Sequence, residues 1–380
     1  MISRIQYIIL FLISPNVGFS QQTLWDFDGQ VSLFGSYTPD LTSSIQVGAR
    51  YIPELSFKHN FDSIQSSRKL EGKLSLNMYG ANAIDPWENI DWTGDINPYR
   101  AWLRYSTPQA EIRGGLQKID FGSAAALRPL QWFNQIDPRD PLQITNGVYG
   151  VLGRYFFLNN TNIWVWGLYG NKERRGLDIF ESEKKTPEYG GRIQFPVPKG
   201  EIAFAFHHRQ ADVSTIPLPV KDRASENRIG FDAKWDVEIG IWLEASYTFL
   251  DIPIDVFQHQ FFATIGTDYT FGIGNGLNVI LEHMIYNYSE RAFSFDAPGN
   301  YSASIISYPI SLDDRLSSVI YYNWEEKDLS FFINYQHQFS QITGYLMAFY
   351  IPAGQTNIQQ SEWVNAFSGP GLRIMFVYSH

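Results

Sequence analysis

Arg100, Arg104 and Arg113 stand close together in the segment YRAWLRYSTPQAEIRGGLQ (residues 99–117), with Glu111 and Gln117 among them. Arg100 and Arg104 share a face if the chain is extended, because side chains alternate along a strand. The stretch Thr107 to Gln109 reads as a tight turn that brings Arg113 onto an adjacent strand. A short ladder of guanidiniums raises the local anion concentration and grips carboxylate or phosphate groups bidentately. The alternative is that these arginines pair with Glu111 and with acids of a nearby loop.

That loop follows at once, as GLQKIDFGSAAALRPLQWFNQIDPRDP from Gly115 to Pro141. Its charged residues, Asp120, Arg128, Asp137, Arg139 and Asp140, are interleaved with Leu127, Leu130, Trp132, Phe133 and Ile136. Pro129, Pro138 and Pro141 keep it from extending as another strand pair. So much apolar weight is poorly placed in water. Folded inward, the segment (about residues 118–146) would narrow the space its neighbours enclose, and its charges would meet the arginines. The expected constriction is therefore Arg100, Arg104, Glu111, Arg113, Gln117, Asp120, Arg128, Asp137, Arg139 and Asp140.

Bond-making chemistry has less to stand on. A hydrolase needs a nucleophile, a base and an orienting group within mutual reach. His207, His208, His283, His337 and His380 supply candidate bases, but no serine or aspartate at matched depth is marked out beside them. The seven histidines show no metal-ligand spacing. GIGNGL at 272–277 has no strand-to-helix context and reads as a hairpin turn, not a phosphate loop. No enzyme activity, metal or cofactor is expected.

The elements that carry these residues alternate with period two, the signature of half-buried strands. In Ile229 to Trp235 the odd positions are Ile, Phe, Ala and Trp, while Arg228, Asp232, Lys234 and Asp236 occupy the even ones. Ile241 to Phe249, Leu70 to Met78, Ile202 to His208, Leu277 to Ile285 and Leu329 to Tyr335 repeat the pattern. Short turns at 107–109, 159–162, 196–200, 237–240 and 272–276 alternate with longer polar loops at 81–97, 118–146, 171–188, 211–226 and 288–300. A transmembrane barrel sorts its connections in this way, with short periplasmic turns and long outer loops.

Composition agrees. The chain has 380 residues, 44% hydrophobic and 16% aromatic, with no cysteine and a formal charge of -10. Apolar residues are spread thinly, and no stretch beyond the N-terminus reaches the roughly 18 to 20 apolar residues of a membrane helix. The acidic balance argues against a nucleic-acid partner. Residues 1–20, with Arg4, the apolar run Tyr7 to Ile13 and small residues Gly18 and Ser20, have the form of a secretory signal peptide. The remainder, 21–380, reads as one all-β domain: an antiparallel up-and-down transmembrane barrel of about 16 to 18 strands, each roughly 9 to 11 residues long. The polar parity then faces the lumen, which places Arg192, Glu201, Arg209, Arg228, Asp232, Lys234, Glu244 and Glu282 inside as well. Such a barrel is wide enough for an aqueous space unless salt bridges and a folded loop seal it.

Two stretches carry a family resemblance. Gly371 to His380 (GLRIMFVYSH) resembles the C-terminal signal strand of bacterial outer-membrane proteins, with His380 where Phe is usual. Gly115, Gln117, Phe121 and Gly122, followed by Asn134, Ile136, Asp137 and Pro138, resemble a signature of porin-like barrels of the Gram-negative outer membrane. The alginate-export-like channels and related large barrels are the groups it looks most like. The resemblance implies a passive outer-membrane channel with a loop in its lumen, passing or exporting polar solutes, anions or carbohydrate among them. Its partners would be outer-membrane lipid and small polar solutes or polysaccharide, with a homo-oligomer left open. The rival expectation is a non-conducting barrel that anchors a surface assembly.

Overall fold

The computed structural model describes residues 23–39, 44–61, 68–84, 91–214, 222–254, 256–352 and 369–380. The expected signal peptide lies outside them. The first strands are β1 (Thr23–Tyr37), β2 (Ile45–Asn60), β3 (Lys69–Ile84), β4 (Asp91–Ser106), β5 (Ala110–Gln117), β6 (Val148–Phe156) and β7 (Asn162–Leu168). A two-residue β8 (Glu181–Ser182) precedes β9 (Glu188–Val197), β10 (Gly200–Asp212), β11 (Arg223–Asp236), β12 (Gly240–Leu250) and β13 (His259–Phe271). The chain closes with β14 (Leu277–Ser289), β15 (Gly299–Pro309), β16 (Asp314–Asn323), β17 (Asp328–Gln338), β18 (Ile342–Ile351) and β19 (Gly369–Ser379).

Each long strand pairs antiparallel with its neighbour in sequence, and β1 pairs with both β2 and β19, so the sheet closes on itself. β7 pairs directly with β9, while β8 only touches the end of β10. Among the described residues, eighteen strands therefore form the barrel. An even number returns both chain ends to one rim, the rim of the short turns. Closure removes the sheet edges that would otherwise leave backbone groups unpaired.

Side-chain alternation sorts the two faces. Leu33, Leu74, Ile112, Val165, Ile229 and Ile374 all point outward and are exposed. Aromatic residues bracket this aliphatic band: Tyr155, Tyr269, Phe271 and Phe339 lie towards the turn rim, and Tyr247, Phe261 and Trp324 towards the loop rim. An apolar belt between aromatic girdles is the exterior of a membrane barrel.

Two expectations need correction. Residues 81–97 are mostly strand, since β3 runs to Ile84 and β4 starts at Asp91, with Ala83 opposite Asp91. Asn82, Gly94 and Asp95 read as loop, yet cross-strand pairing includes them. The inward parity is also not polar all the way round. Over β13 to β19 it carries Phe262, Met284, Tyr301, Val319, Tyr321 and Phe332, then Met347, Phe349, Met375 and Val377, all buried in one cluster. These strands are apolar on both faces because something other than water covers the inner one.

Candidate functional site

The cover is the insert. Residues 118–147 contain turns but no strand, and they lie against the inner wall. Phe121, Leu130, Trp132 and Phe133 pack on Val148, Leu152, Trp166 and Leu168 of β6 and β7, with Phe121 stacked on Trp166 at 5.9 Å between centroids. Ala126 and Leu127 join the apolar cluster of β13 to β19 on the opposite side. The segment thus spans the barrel from wall to wall.

Two buried carboxylates hold its tip. Glu282 on β14 accepts the backbone N–H of Ala125 at 2.6 Å, of Ala126 at 2.9 Å and of Leu127 at 2.7 Å, together with Trp242 Nε1 at 3.1 Å. Glu244 on β12 accepts Ala124 N at 3.0 Å and Leu130 N at 2.7 Å. The run Ser123–Ala–Ala–Ala has side chains small enough to let consecutive amides converge on one carboxylate. Gly122 takes φ +99°, and a Cβ there would stand 2.4 Å from Glu244 Oε2. Charge-assisted bonds of this kind are about twice as strong as neutral ones. Trp132 Nε1 adds a bond to Ser246 Oγ at 3.0 Å.

Two arginines hold the roots. Arg113 donates to Lys118 O at 3.0 Å and to Gln117 Oε1 at 2.6 Å, while Gln117 Nε2 donates to Arg113 O and Gly150 O. Arg100 donates to Thr145 O at 3.0 Å and Thr145 Oγ1 at 2.9 Å. Arg104 lies opposite Arg113 in register but turns to Glu71, with Nε at 3.0 Å. Glu111 takes Arg154 at 3.2 Å and Arg104 at 3.7 Å. Arg104 and Arg113 both flank the Trp102 ring, at 5.8 and 5.6 Å.

The insert's own acids do not meet this ladder as ion pairs, contrary to expectation. Asp120 pairs with Arg128 at 2.8 Å and Lys118 at 3.2 Å. Burial alone would raise its carboxyl, but Arg128, Asn134 and Lys118 hold it below the ordinary value. Asp137 takes Arg139 bidentately at 2.9 and 2.8 Å, and Arg139 also lies 5.3 Å over the Tyr321 ring. Asp140 accepts Leu142 N and Ile144 N, both at 2.9 Å. A buried irregular segment has many backbone groups to satisfy, and its acids are spent on its own turns. The lumenal arginines reach the insert through its carbonyls instead.

A second buried network was not foreseen as a unit. Asp178, in the connection between β7 and β9, binds Arg209 at 2.7 Å and Arg228 at 2.6 Å. Glu226 takes Arg209 at 2.6 Å and Arg228 at 2.7 Å. Glu188 takes Arg175 at 2.7 Å and His207 Nε2 at 3.1 Å, while Trp166 Nε1 donates to His207 Nδ1 at 3.1 Å. Both His207 nitrogens are therefore engaged, and Trp166 fixes Nε2 as the protonated one. Arg192 pairs with Asp232 across the β9 to β11 wall. Lys234 and Glu201 remain partly exposed on the same parity.

Beyond the insert's footprint on β6 and β7, the lumen wall of β2 to β5 is less covered. There Lys73 pairs with Glu54, and the side chains of Lys73 and Arg104 are 31% and 30% exposed. Arg113 has no carboxylate within ion-pair distance among the described residues, so this wall keeps unneutralised positive charge.

No family model matches the sequence, and no curated protein does. Solved structures match the fold. OccAB1 of Acinetobacter baumannii superposes with a TM-score of 0.56 at 8% identity, over 96% of this chain and 98% of that one. The loop L8 deletion mutant of OmpT, an outer membrane protein of Vibrio cholerae, gives 0.51 at 11% identity, over 94% and 100%. In vitro folded OmpT in its trimer form gives 0.51 at 9% identity, over the same shares. The chain is thus a closed antiparallel eighteen-stranded barrel, similar in fold to these large outer-membrane barrels.

Proposed function

We propose that the chain is a channel of the Gram-negative outer membrane, delivered by residues 1–20 as a signal peptide, with the turn rim in the periplasm and the long loops outside. The observation that carries this reading is the asymmetric lumen. The insert covers the apolar walls of β6 and β7 and of β13 to β19 and leaves much of the charged wall of β2 to β5 open, with Lys73 and Arg104 about a third exposed. A polar solute has a hydrated path along that wall, past Lys73, Arg104 and Arg113, and its net positive character favours anions. The likeness to alginate-export-like channels enters as a wide barrel with a loop inside. A polysaccharide chain would pass only with the insert displaced, so small solutes suit the resting state better. The apolar exterior takes lipid, and self-association is compatible with it.

In planar bilayers the purified protein is expected to give discrete conductance steps, larger in a form lacking residues 123–135 and carried mainly by anions. Silence from both forms overturns the channel. The insert's contacts with both walls favour one rival, a sealed barrel that anchors a surface assembly, and such a barrel is silent in both forms.

A further inference from the structure

We infer that the loop rim holds a binding site for a small anionic polyol, of monosaccharide size and bearing a phosphate or carboxylate. A cavity of about 320 Å³ opens there between β3, β4, the second half of the insert and the connection after β7. Pockets of about 300 Å³ and upward are the size that encloses small ligands.

Its wall is built from side-chain amides: Asn77, Asn97, Asn134, Gln135 and Asn146. Asn77 Oδ1, Asn134 Oδ1 and Gln135 Nε2 are buried and find no protein partner among the described residues. Side-chain amides present acceptors and donors together, and a cavity lined by five of them suits an occupant with several hydroxyl groups. Tyr99 and Phe133 add ring surface. The mouth is basic: Lys172, Arg174 and Lys184 are exposed around it, with Glu173 beside them and Lys172 paired with Glu181 at 3.4 Å. Arg175 stands behind them, buried, with Nη1 unpartnered. Amides for hydroxyls and a cationic rim for an anion make one recognition pattern.

The site is built where an incoming solute first meets the lumen, so its use in uptake rests on the channel reading. Its occupancy does not. Calorimetry on the full chain in detergent, with glucose 6-phosphate, gluconate, glucose and inorganic phosphate as probes, tests it without any conductance. Both anionic polyols are expected to bind, with glucose, which lacks the charge-assisted contact, and phosphate, which lacks the hydroxyl contacts, each at least about tenfold weaker. The variant K172Q/R174Q/K184Q, all at exposed positions, loses that preference while keeping affinity for glucose. Asn77→Leu weakens all polyols together. Equal affinity for glucose and glucose 6-phosphate, or no heat with any probe, overturns the site and leaves conduction untouched.

Discussion

Glu282 on β14 accepts the backbone N–H of Leu127 at 2.7 Å, and the same carboxylate serves Ala125 and Ala126. One side chain thus fixes three consecutive amides 155 or more residues away in sequence. Removing the acceptor leaves three buried donors and Trp242 Nε1 unmade, at about 1 to 3 kcal/mol for each group. The barrel itself closes through strand pairing and survives. In Glu282→Ala, and more so with Glu244→Ala added, chymotrypsin is expected to cut after Trp132, which is buried in the native chain. Digestion of the detergent-folded protein with sequencing of the new N-terminus reads this directly. Resistance of the double variant would show that the carboxylates do not hold the insert.

Two glycines should differ in a way set by what each approaches. A Cβ on Gly122 meets the end of a side chain, Glu244 Oε2 at 2.4 Å, which can swing aside. A Cβ on Gly176 falls 1.8 Å from the backbone oxygen of Gln131, where the two interior loops touch, and nothing there can rotate away. Both residues have positive φ, +99° and +54°, so alanine is strained at either. Gly176→Ala is expected to lower the temperature at which the folded barrel changes its gel mobility by more than Gly122→Ala does. The reverse order would mean that the contact between loops carries little of the stability.

Charge selectivity should track Arg113. Its guanidinium is spent on Gln117 and a carbonyl, not on an acid, so its charge is available to the lumen. Arg113→Gln keeps hydrogen-bonding capacity and removes the charge. The anion-to-cation permeability ratio from the reversal potential in a salt gradient should fall by about twofold, with a smaller change at high ionic strength. Arg104→Gln changes it less, because Glu71 already balances that charge. An unchanged ratio in Arg113→Gln would place the path elsewhere.

The barrel was legible because each outward row, such as Leu372, Ile374, Phe376 and Tyr378, keeps strict phase. The inward wall was legible only where it is charged. Met284, Tyr301 and Phe332 gave no sign of facing inward, since alternation shows two faces but cannot say which is covered when both are apolar. The insert announced its burial through Leu130, Trp132 and Phe133. Its latch did not show, because Glu244 and Glu282 bind backbone amides, and amides have no sequence signature. The acids Asp120, Asp137 and Asp140 suggested pairing with the arginine ladder. Their hydrogen bonds to Arg128, Arg139, Leu142 and Ile144 lie within 8 residues in the chain, where turn geometry outcompetes the reach to the ladder.

Asp140 gives the insert a dependence on pH. Burial raises its carboxyl from 3.8 to about 6, against the opposing bonds from Ile144 and Leu142 and the pull of Arg50, while Asp137 adds to the rise. Arg50 of β2 and Arg373 of β19 face it, with Tyr345 of β18. A carboxyl that ionises less readily in the folded chain than in the unfolded one binds its proton more tightly when folded. Its contribution therefore favours folding below about pH 4 and is lost as pH rises through about 6. The whole swing from 3.8 to about 6 is on the order of 3 kcal/mol. Asp140→Asn does not titrate and keeps one acceptor oxygen. The variant should gain on the native chain in thermal unfolding as pH is raised from about 4 to about 7, by a difference that levels off above that range. A difference between the two that stays constant across that window would mean that Asp140 is ionised at every pH tested, and that the loop holds it open to water.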